Sequence, residues 1–275
     1  MNNSIIFNVK LHKYARTDMY IRVHSSTVNV LISNFLDAAG TAIADLTTLD
    51  FQDSELFNLT QTTVVDGSVN YIGNFTSGSA DRWLRIKARR YCEFQIELGE
   101  KSQIKYLNTP SFFSEWDMSM FATGFTNLKQ LFVGGRVTGD TSSLANCSLD
   151  RLRISTHTVG VTPSSIGVTK SFSIVPREFD FPKNESLVFN VDNFVTPTNV
   201  SNLQYLSIGG VYSVPLRGIT GHLQALTALT GLVSLHIRYT SVYPESSTKE
   251  VYFNGWDDLT YFKYEHNSSV EPNNN

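Results

Sequence analysis

The residues that could do metal or acid–base chemistry are scattered along this chain. None of its six histidines has metal-ligand spacing to another histidine or to a cysteine. The motifs HExxH, GxSxG, GxGxxG and GxxxxGK(S/T) do not occur. Asp257 and Asp258 could form a general acid–base pair or a Ca²⁺ ligand pair, but adjacent side chains in a turn usually point apart. The sequence therefore predicts a non-enzymatic protein without a metal or other cofactor.

A basic stripe is the second candidate for chemistry. Arg85, Lys87 and Arg89 recur at every second position, so an extended chain places them on one face. Three aligned cations could bind phosphate, a sulfated glycan or an acidic protein surface. They could equally be the solvated face of a strand whose charges discourage edge pairing. The pattern leaves both interpretations open.

A repeat in the later two-thirds of the chain predicts the elements that position further polar residues. The unit Leu-x-x-Leu-x-apolar is clearest at 128–135, 149–156, 203–210 and 232–239. The first leucines of successive copies are 21 (128 to 149), 29 (203 to 232) and 27 (232 to 259) residues apart, near the range typical of leucine-rich repeats. Weaker copies lie at 104–111, 171–176, 187–194 and 259–266. The pattern predicts short parallel strands whose leucines stack into one continuous core.

The residues between those leucines are predicted to face outward. Tyr and Arg are enriched among them and often anchor interfaces, and aromatic side chains with polar neighbours also suit sugar rings. A merely solvated sheet face is the alternative for any single residue. The predicted binding residues are Gln130, Phe132, Arg151, Arg153, Tyr205, His236, Arg238, Tyr261, Lys263 and Glu265.

The first hundred residues have a different character. Alternating apolar and polar residues predict strands at 4–12 and 20–33, and the strongest alternation lies at 82–98. Arg90 interrupts that alternation, which indicates a bulge or a turn between two strands. The sequence thus predicts a mainly β protein with an N-terminal antiparallel β unit at 1–100, which serves as an anchor or cap. An irregular solenoid of short parallel strands follows at 101–266, with one helical return at 219–232, and a disordered tail at 267–275.

Composition narrows the classes of partner. The net charge is −3, so general nucleic-acid binding is not indicated. The two cysteines, Cys92 and Cys147, do not make a disulfide framework, and buried free thiols are expected. We expect no signal peptide in the opening residues MNNSIIFNVK, and no segment is apolar enough to span a membrane.

The repeat resembles leucine-rich-repeat-like arrays of Bacteroidetes proteins and of the phages that infect them. In those arrays a Gly-Asp-(Ile/Thr)-Ser-x-Leu step precedes Leu-x-x-Leu-x-Leu, and residues 139–144 (GDTSSL) match that step. Residues 218–223 (GITGHL) are a looser version, and the resemblance covers about residues 101–266.

The resemblance implies a recognition or assembly surface. With no signal peptide expected, it favours a structural or adhesion component of a phage virion: capsid-decorating, head-fibre or tail-associated. A bacterial surface or secreted adhesin for glycans or proteins is the alternative. The expected partners are other virion proteins or a host-surface glycan or protein, and an apolar C-terminal coil favours homo-oligomers.

Overall fold

The chain is mainly strands with few helices, arranged as an antiparallel sheet and parallel sheets. It divides into two compact units, Met1–Val137 and Thr138–Asn275. The boundary near residue 100 and the tail stay predictions, and the tail lies outside the described residues. The computed structural model describes residues 4–11, 19–23, 29–37, 39–42, 49–53, 57–63, 69–75, 82–88, 92–109, 115–156, 160–162, 166, 169–174, 188–210, 216–244 and 257–265.

Antiparallel pairing dominates the first unit. Its strands are β1 (Ile5–Leu11), β2 (Met19–Val23), β3 (Asn29–Leu36), β4 (Leu49–Asp53), β5 (Phe57–Thr63), β6 (Val69–Phe75), β7 (Arg82–Ala88), β8 (Cys92–Leu98), β9 (Tyr106–Thr109), β10 (Glu115–Asp117) and β11 (Gln130–Thr138). One group has the order β10–β1–β8–β3–β6–β5. Ile5 lies opposite Leu98 in this group, and both are buried together with Ile96 because alternate residues of a strand share a face.

A second group of the first unit has the order β4–β7–β2–β9, and β9 also pairs with β11 in parallel. The strands predicted at 4–12 and within 20–33 are confirmed as β1, β2 and β3. The pattern at 82–98 forms two strands that belong to different groups, β7 and β8. The interruption at Arg90 lies outside the described residues.

A parallel ladder forms one side of the second unit. Its strands are β12 (Arg151–Thr156), β13 (Ser171–Ile174), β15 (Tyr205–Gly209), β17 (Ser234–Arg238) and β19 (Tyr261–Glu265), in that order. Each pairs with the next without a register shift. The apolar residues of the repeat therefore align: Leu152, Phe172, Leu206 and Leu235 are buried, whereas Phe262 on the last strand, β19, is exposed.

A smaller parallel sheet belongs to the same unit. It contains β14 (Phe189–Asn190), β16 (Leu216–His222) and β18 (Thr240–Tyr243), ordered β14–β16–β18. Residues 187–194 were predicted as a copy of the ladder strand, and that prediction is wrong. Phe189 and Asn190 pair with β16 instead, and a 3₁₀ helix follows at Val191–Phe194. Buried residues at 189, 191 and 194 fit both a strand and a three-residue turn, which explains the error.

Helical turns are more frequent than the sequence predicted. In the described residues, 3₁₀ helices lie at Lys101–Gln103, Met118–Phe121, Thr141–Leu144, Val191–Phe194 and Leu223–Ala228, and an α-helix, α1, spans Pro197–Asn202. The predicted helical return at 219–232 is confirmed at 223–228, but residues 219–222 belong to β16.

Three of the 3₁₀ helices begin in the same way. Each follows a strand-like residue, Asp117, Asp140 or Asn190, whose side chain accepts a hydrogen bond from the backbone N–H two residues later. That bond satisfies a donor that the helix leaves unpaired, which is why Asp and Asn are favoured there. The Asp of the Gly-Asp-x-Ser-x-Leu step is thus a helix cap.

Candidate functional site

The candidate site is the outward face of the parallel ladder, defined as the exposed-side positions of β12, β13, β15, β17 and β19. Paired residues form rows across these strands. Tyr205 and Tyr261 are 46% and 51% exposed and lie two strands apart, so their backbones are about 10 Å apart. The first row is Arg151, Ser171, Tyr205, Ser234 and Tyr261.

Two further rows complete the outward face. The second runs from exposed Arg153 to half-buried Lys263, with serines and a histidine between them. The third is shorter and begins at Gly209 of β15. In order, the rows are Arg153, Ser173, Ser207, His236 and Lys263, and then Gly209, Arg238 and Glu265.

Glu265 is shared by two cations at the C-terminal end of these rows. Its Oε1 lies 2.8 Å from Lys263 Nζ, and its Oε2 lies 3.9 Å from Arg238 Nε. The hydrogen bond from Lys263, together with both positive charges, lowers the pKa of Glu265. Gly209 leaves room for Arg238, because a Cβ there would lie 3.3 Å from Arg238 Nε.

His236 is the uncharged member of this end of the face. Its ring meets Tyr261 edge-on at 6.2 Å between centroids, and its Nε2 is buried without a hydrogen-bond partner. Burial, followed by the positive charges of Arg238 and Lys263, lowers the pKa of His236. The neutral form therefore prevails near pH 7, and the positive charge of the face comes from Arg and Lys.

The outward face differs in charge from the chain as a whole. Arg151 and Arg153 are exposed at one end of the rows, and Arg238 and Lys263 lie at the other. Glu265 is the one carboxylate at the described outward positions. A chain with net charge −3 thus presents a cationic sheet face, which favours an anionic partner.

Two other predicted binding residues belong to the first unit. Gln130 and Phe132 are half-buried on β11 and pair with Tyr106 and Asn108 of β9. They sit at the repeat positions that the sequence indicated, on a strand of the first unit.

The basic stripe lies partly on β7. Register places Arg85 between Tyr20 of β2 and Gln52 of β4, and it places Lys87 opposite Asp50. Arg89 lies outside the described residues.

A cluster that the sequence did not reveal joins Asp192, His222 and Tyr243 on the smaller sheet. The Asp192 carboxylate accepts from the His222 backbone N–H at 2.7 Å and lies 3.0 Å from the ring Nδ1. The His222 ring meets Tyr243 edge-on at 5.0 Å, and Tyr243 is 42% exposed. Thirty residues separate the acid from the histidine, so no local spacing signals the pair.

In the part of the chain that the structure describes, this cluster has no nucleophile placed for acyl transfer. Among the described residues, no Ser, Thr or Cys hydrogen-bonds to the His222 ring, whereas an Asp–His–nucleophile arrangement needs that contact. A similar contact occurs earlier in the second unit, where the Asp140 carboxylate accepts a hydrogen bond from the Thr162 hydroxyl. Burial acts to raise the pKa of Asp140, but the bonds from Thr162 and Ser142 outweigh it and lower that pKa. Both carboxylates therefore tie neighbouring turns together.

Metal chemistry has no evident centre in the described part of the chain. No group of three or more His, Cys, Asp or Glu side chains is placed there to hold an ion. Asp257 and Asp258 occupy an exposed turn before β19. Cys147 is a buried thiol that forms no disulfide, as predicted, and burial raises its pKa to about 11. The described helices include none with the length and apolarity needed to cross a bilayer.

Comparison with known proteins adds no assignment. No family model matches the chain, and neither a curated protein nor a solved structure matches it. The resemblance of the repeat to leucine-rich arrays stays a prediction from the sequence.

Proposed function

We propose that this protein is a non-enzymatic recognition component that binds its partner through the outward face of the parallel ladder. The observation that carries the proposal is the unshifted register from β12 to β19, which aligns Tyr205 with Tyr261 and Arg153 with Lys263. Tyr and Arg on a regular, exposed strand array resemble the anchor residues of protein interfaces.

The proposal includes a leucine-rich-type solenoid at residues 101–266. Its support is a recurring order of elements: a 3₁₀ turn, buried residues at three-residue spacing, and then a ladder strand. Thr141–Leu144 leads to β12 in this way, and Leu223–Ala228 leads to β17. Stacked turns of this kind expose one strand face along the whole array, which is where solenoids bind.

The setting that we propose is a phage virion, where the protein acts as a capsid-decorating, head-fibre or tail-associated part. The N-terminal β unit would then be the anchor. This setting rests on the sequence resemblance to arrays of Bacteroidetes phages. Mass spectrometry of gradient-purified particles tests it: stoichiometric peptides in the particle fraction support the virion, and their absence from every particle fraction rejects it.

A bacterial surface adhesin is the second candidate, and the two exposed tyrosines favour it. Tyrosine rings that flank a serine suit the faces of sugar rings as well as peptide segments. The discriminating experiment labels unfixed Bacteroidetes cells with an antibody against this protein. Surface labelling of cells that carry no prophage supports the adhesin, whereas labelling confined to released particles supports the virion.

A direct test of the face applies to both settings. The double variant Tyr205→Ala/Tyr261→Ala removes both rings, and Tyr243→Ala removes a similarly exposed ring from the smaller sheet. We expect fluorescently labelled protein to bind intact cells less in the double variant and unchanged in the control. Equal binding by all three proteins would reject the outward face as the recognition surface.

A further inference from the structure

We propose that the outward face binds an acidic polysaccharide, a chain of uronate or sulfated sugars that runs across the strands along the rows. This inference rests on the proposed recognition function and names the chemical class of its ligand. Three features of the face support it: the charge of the rows, the spacing of the tyrosines and the character of the residues between them.

The positive charges of the outward face indicate that the ligand is anionic. Cations stand at both ends of the second row, Arg153 on β12 and Lys263 on β19, and Arg238 adds a third beside Lys263. Five adjacent strands place these ends about 20 Å apart. A ligand that meets both ends must carry anionic groups repeatedly along its length, as an acidic polysaccharide does.

The exposed tyrosines of the outward face indicate that the ligand contains sugar rings. Tyr205 and Tyr261 are exposed in one row, with the small Ser234 between them. Their spacing of about 10 Å is a distance that a disaccharide unit spans. Alternate sugars of one chain can therefore stack on the two rings while the sugar between them faces Ser234.

The rest of the face argues for a glycan over an acidic protein. Four of the described outward positions in the first two rows are serines, namely Ser171, Ser173, Ser207 and Ser234. No Leu, Ile, Val or Met stands at the outward positions of these five strands that the structure describes. Protein interfaces usually have an apolar core of closely packed residues. A hydroxyl-rich strip with isolated aromatic rings suits sugars better.

Glu265 limits the strength of this site. Its carboxylate oxygens lie 2.8 Å from Lys263 Nζ and 3.9 Å from Arg238 Nε, so a bound carboxylate or sulfate must compete with Glu265 for these two cations. Glu265→Gln keeps the size of the side chain and removes the competing charge. This variant should bind an acidic glycan more tightly, a gain that misfolding cannot imitate.

The experiment measures binding of the full chain by isothermal titration calorimetry. Its probes are polygalacturonate, the neutral glucan dextran and poly-glutamate as an acidic polypeptide. We expect polygalacturonate to bind, with an affinity that weakens as NaCl rises, and dextran and poly-glutamate to bind at least about tenfold more weakly. Arg153→Ser and Tyr205→Ala should each weaken binding at least about fivefold. Glu265→Gln should strengthen it about threefold or more.

Matched controls lie on the smaller sheet. Arg217→Ser removes an exposed cation there and Tyr243→Ala removes an exposed ring, and both should leave binding unchanged. Equal binding of polygalacturonate and poly-glutamate that is insensitive to Tyr205→Ala would show an acidic-protein site and overturn the proposal. Binding of dextran alone, or of none of the probes, would overturn it as well. In either case the cell-binding test with the tyrosine variants still decides the proposed function separately.

Discussion

Gly221 offers the sharpest test of how the turns of the second unit lock together. Its φ is +115°, a backbone conformation that side-chain-bearing residues rarely adopt. A Cβ at this position would lie 2.2 Å from Asn190 Oδ1, 2.7 Å from Asp192 Oδ1 and 2.9 Å from Val191 Cγ2. Those two oxygens cap the 3₁₀ helix and bind His222, so neither can withdraw without losing a hydrogen bond.

The cost of Gly221→Ala follows from these contacts. The backbone contributes about 1–3 kcal/mol because of its unfavourable φ. Displacing the cap adds about 1 kcal/mol. We therefore expect the free energy of unfolding to fall by about 2–4 kcal/mol, measured by urea denaturation followed by circular dichroism.

Gly231 provides the control for that measurement. It has no positive φ, and the atom nearest to an added Cβ would be Val200 O at 3.5 Å, an ordinary contact. Gly231→Ala should change stability by no more than about 1 kcal/mol, with a gain possible through the unfolded state. If Gly221→Ala and Gly231→Ala had equal urea midpoints, the close packing of turn against turn at Gly221 would be refuted.

Three further outcomes follow from the second unit. The pKa of His236 is lowered on folding, so the unfolded chain binds a proton first as pH falls, and the free energy of unfolding should decrease below about pH 6.5. His236→Asn should reduce that loss of stability between pH 7.5 and 5.5. An unchanged dependence of stability on pH would contradict this prediction. Burial raises the pKa of the Cys147 thiol to about 11, so this thiol should react slowly with maleimide at pH 8 in the folded protein. In a Cys92→Ser variant, which leaves Cys147 as the reacting cysteine, we expect a far lower rate in the folded state than in urea. Equal rates would show that the Cys147 thiol is accessible. Leu206→Ala should lower the free energy of unfolding by about 2–5 kcal/mol in urea denaturation, whereas Ser207→Ala should lower it by less than about 0.5 kcal/mol. Similar losses for the two variants would show that the inward and outward sides of β15 are wrongly assigned.

The strands of the ladder were predictable because the side-chain period of a strand is two. In Leu-x-x-Leu-x-Ile, the buried residues fix which neighbours face outward, as Leu206 and Ile208 do for Tyr205 and Ser207. The alternation is local, so no knowledge of the partner strand is needed. The same reasoning failed at Phe189, where a two-residue strand and a 3₁₀ helix produce a similar apolar spacing.

Pairing between strands could not be predicted in the same way. The returns differ in length and kind: β12 and β13 are joined within 156–171, whereas β14 and α1 lie between β13 and β15. Sequence alone therefore did not show that Arg238 and Lys263 share Glu265. Nor did it show that Asp192 reaches His222, because that contact depends on how two returns stack.

Alternate residues of each ladder strand separate the buried core from the proposed recognition surface. Inward residues such as Leu206 and Leu235 are almost wholly buried, so changing them costs core packing. Outward residues such as Tyr205 are half exposed and can change with little effect on the core. Gly209 is the exception, since a side chain there would press on Arg238 Nε, a buried atom of the face. The exposed positions of the first two rows, such as Tyr205 and Arg153, can therefore change with little effect on the core, whereas the third row ties the choice of charged residue to the backbone beneath it.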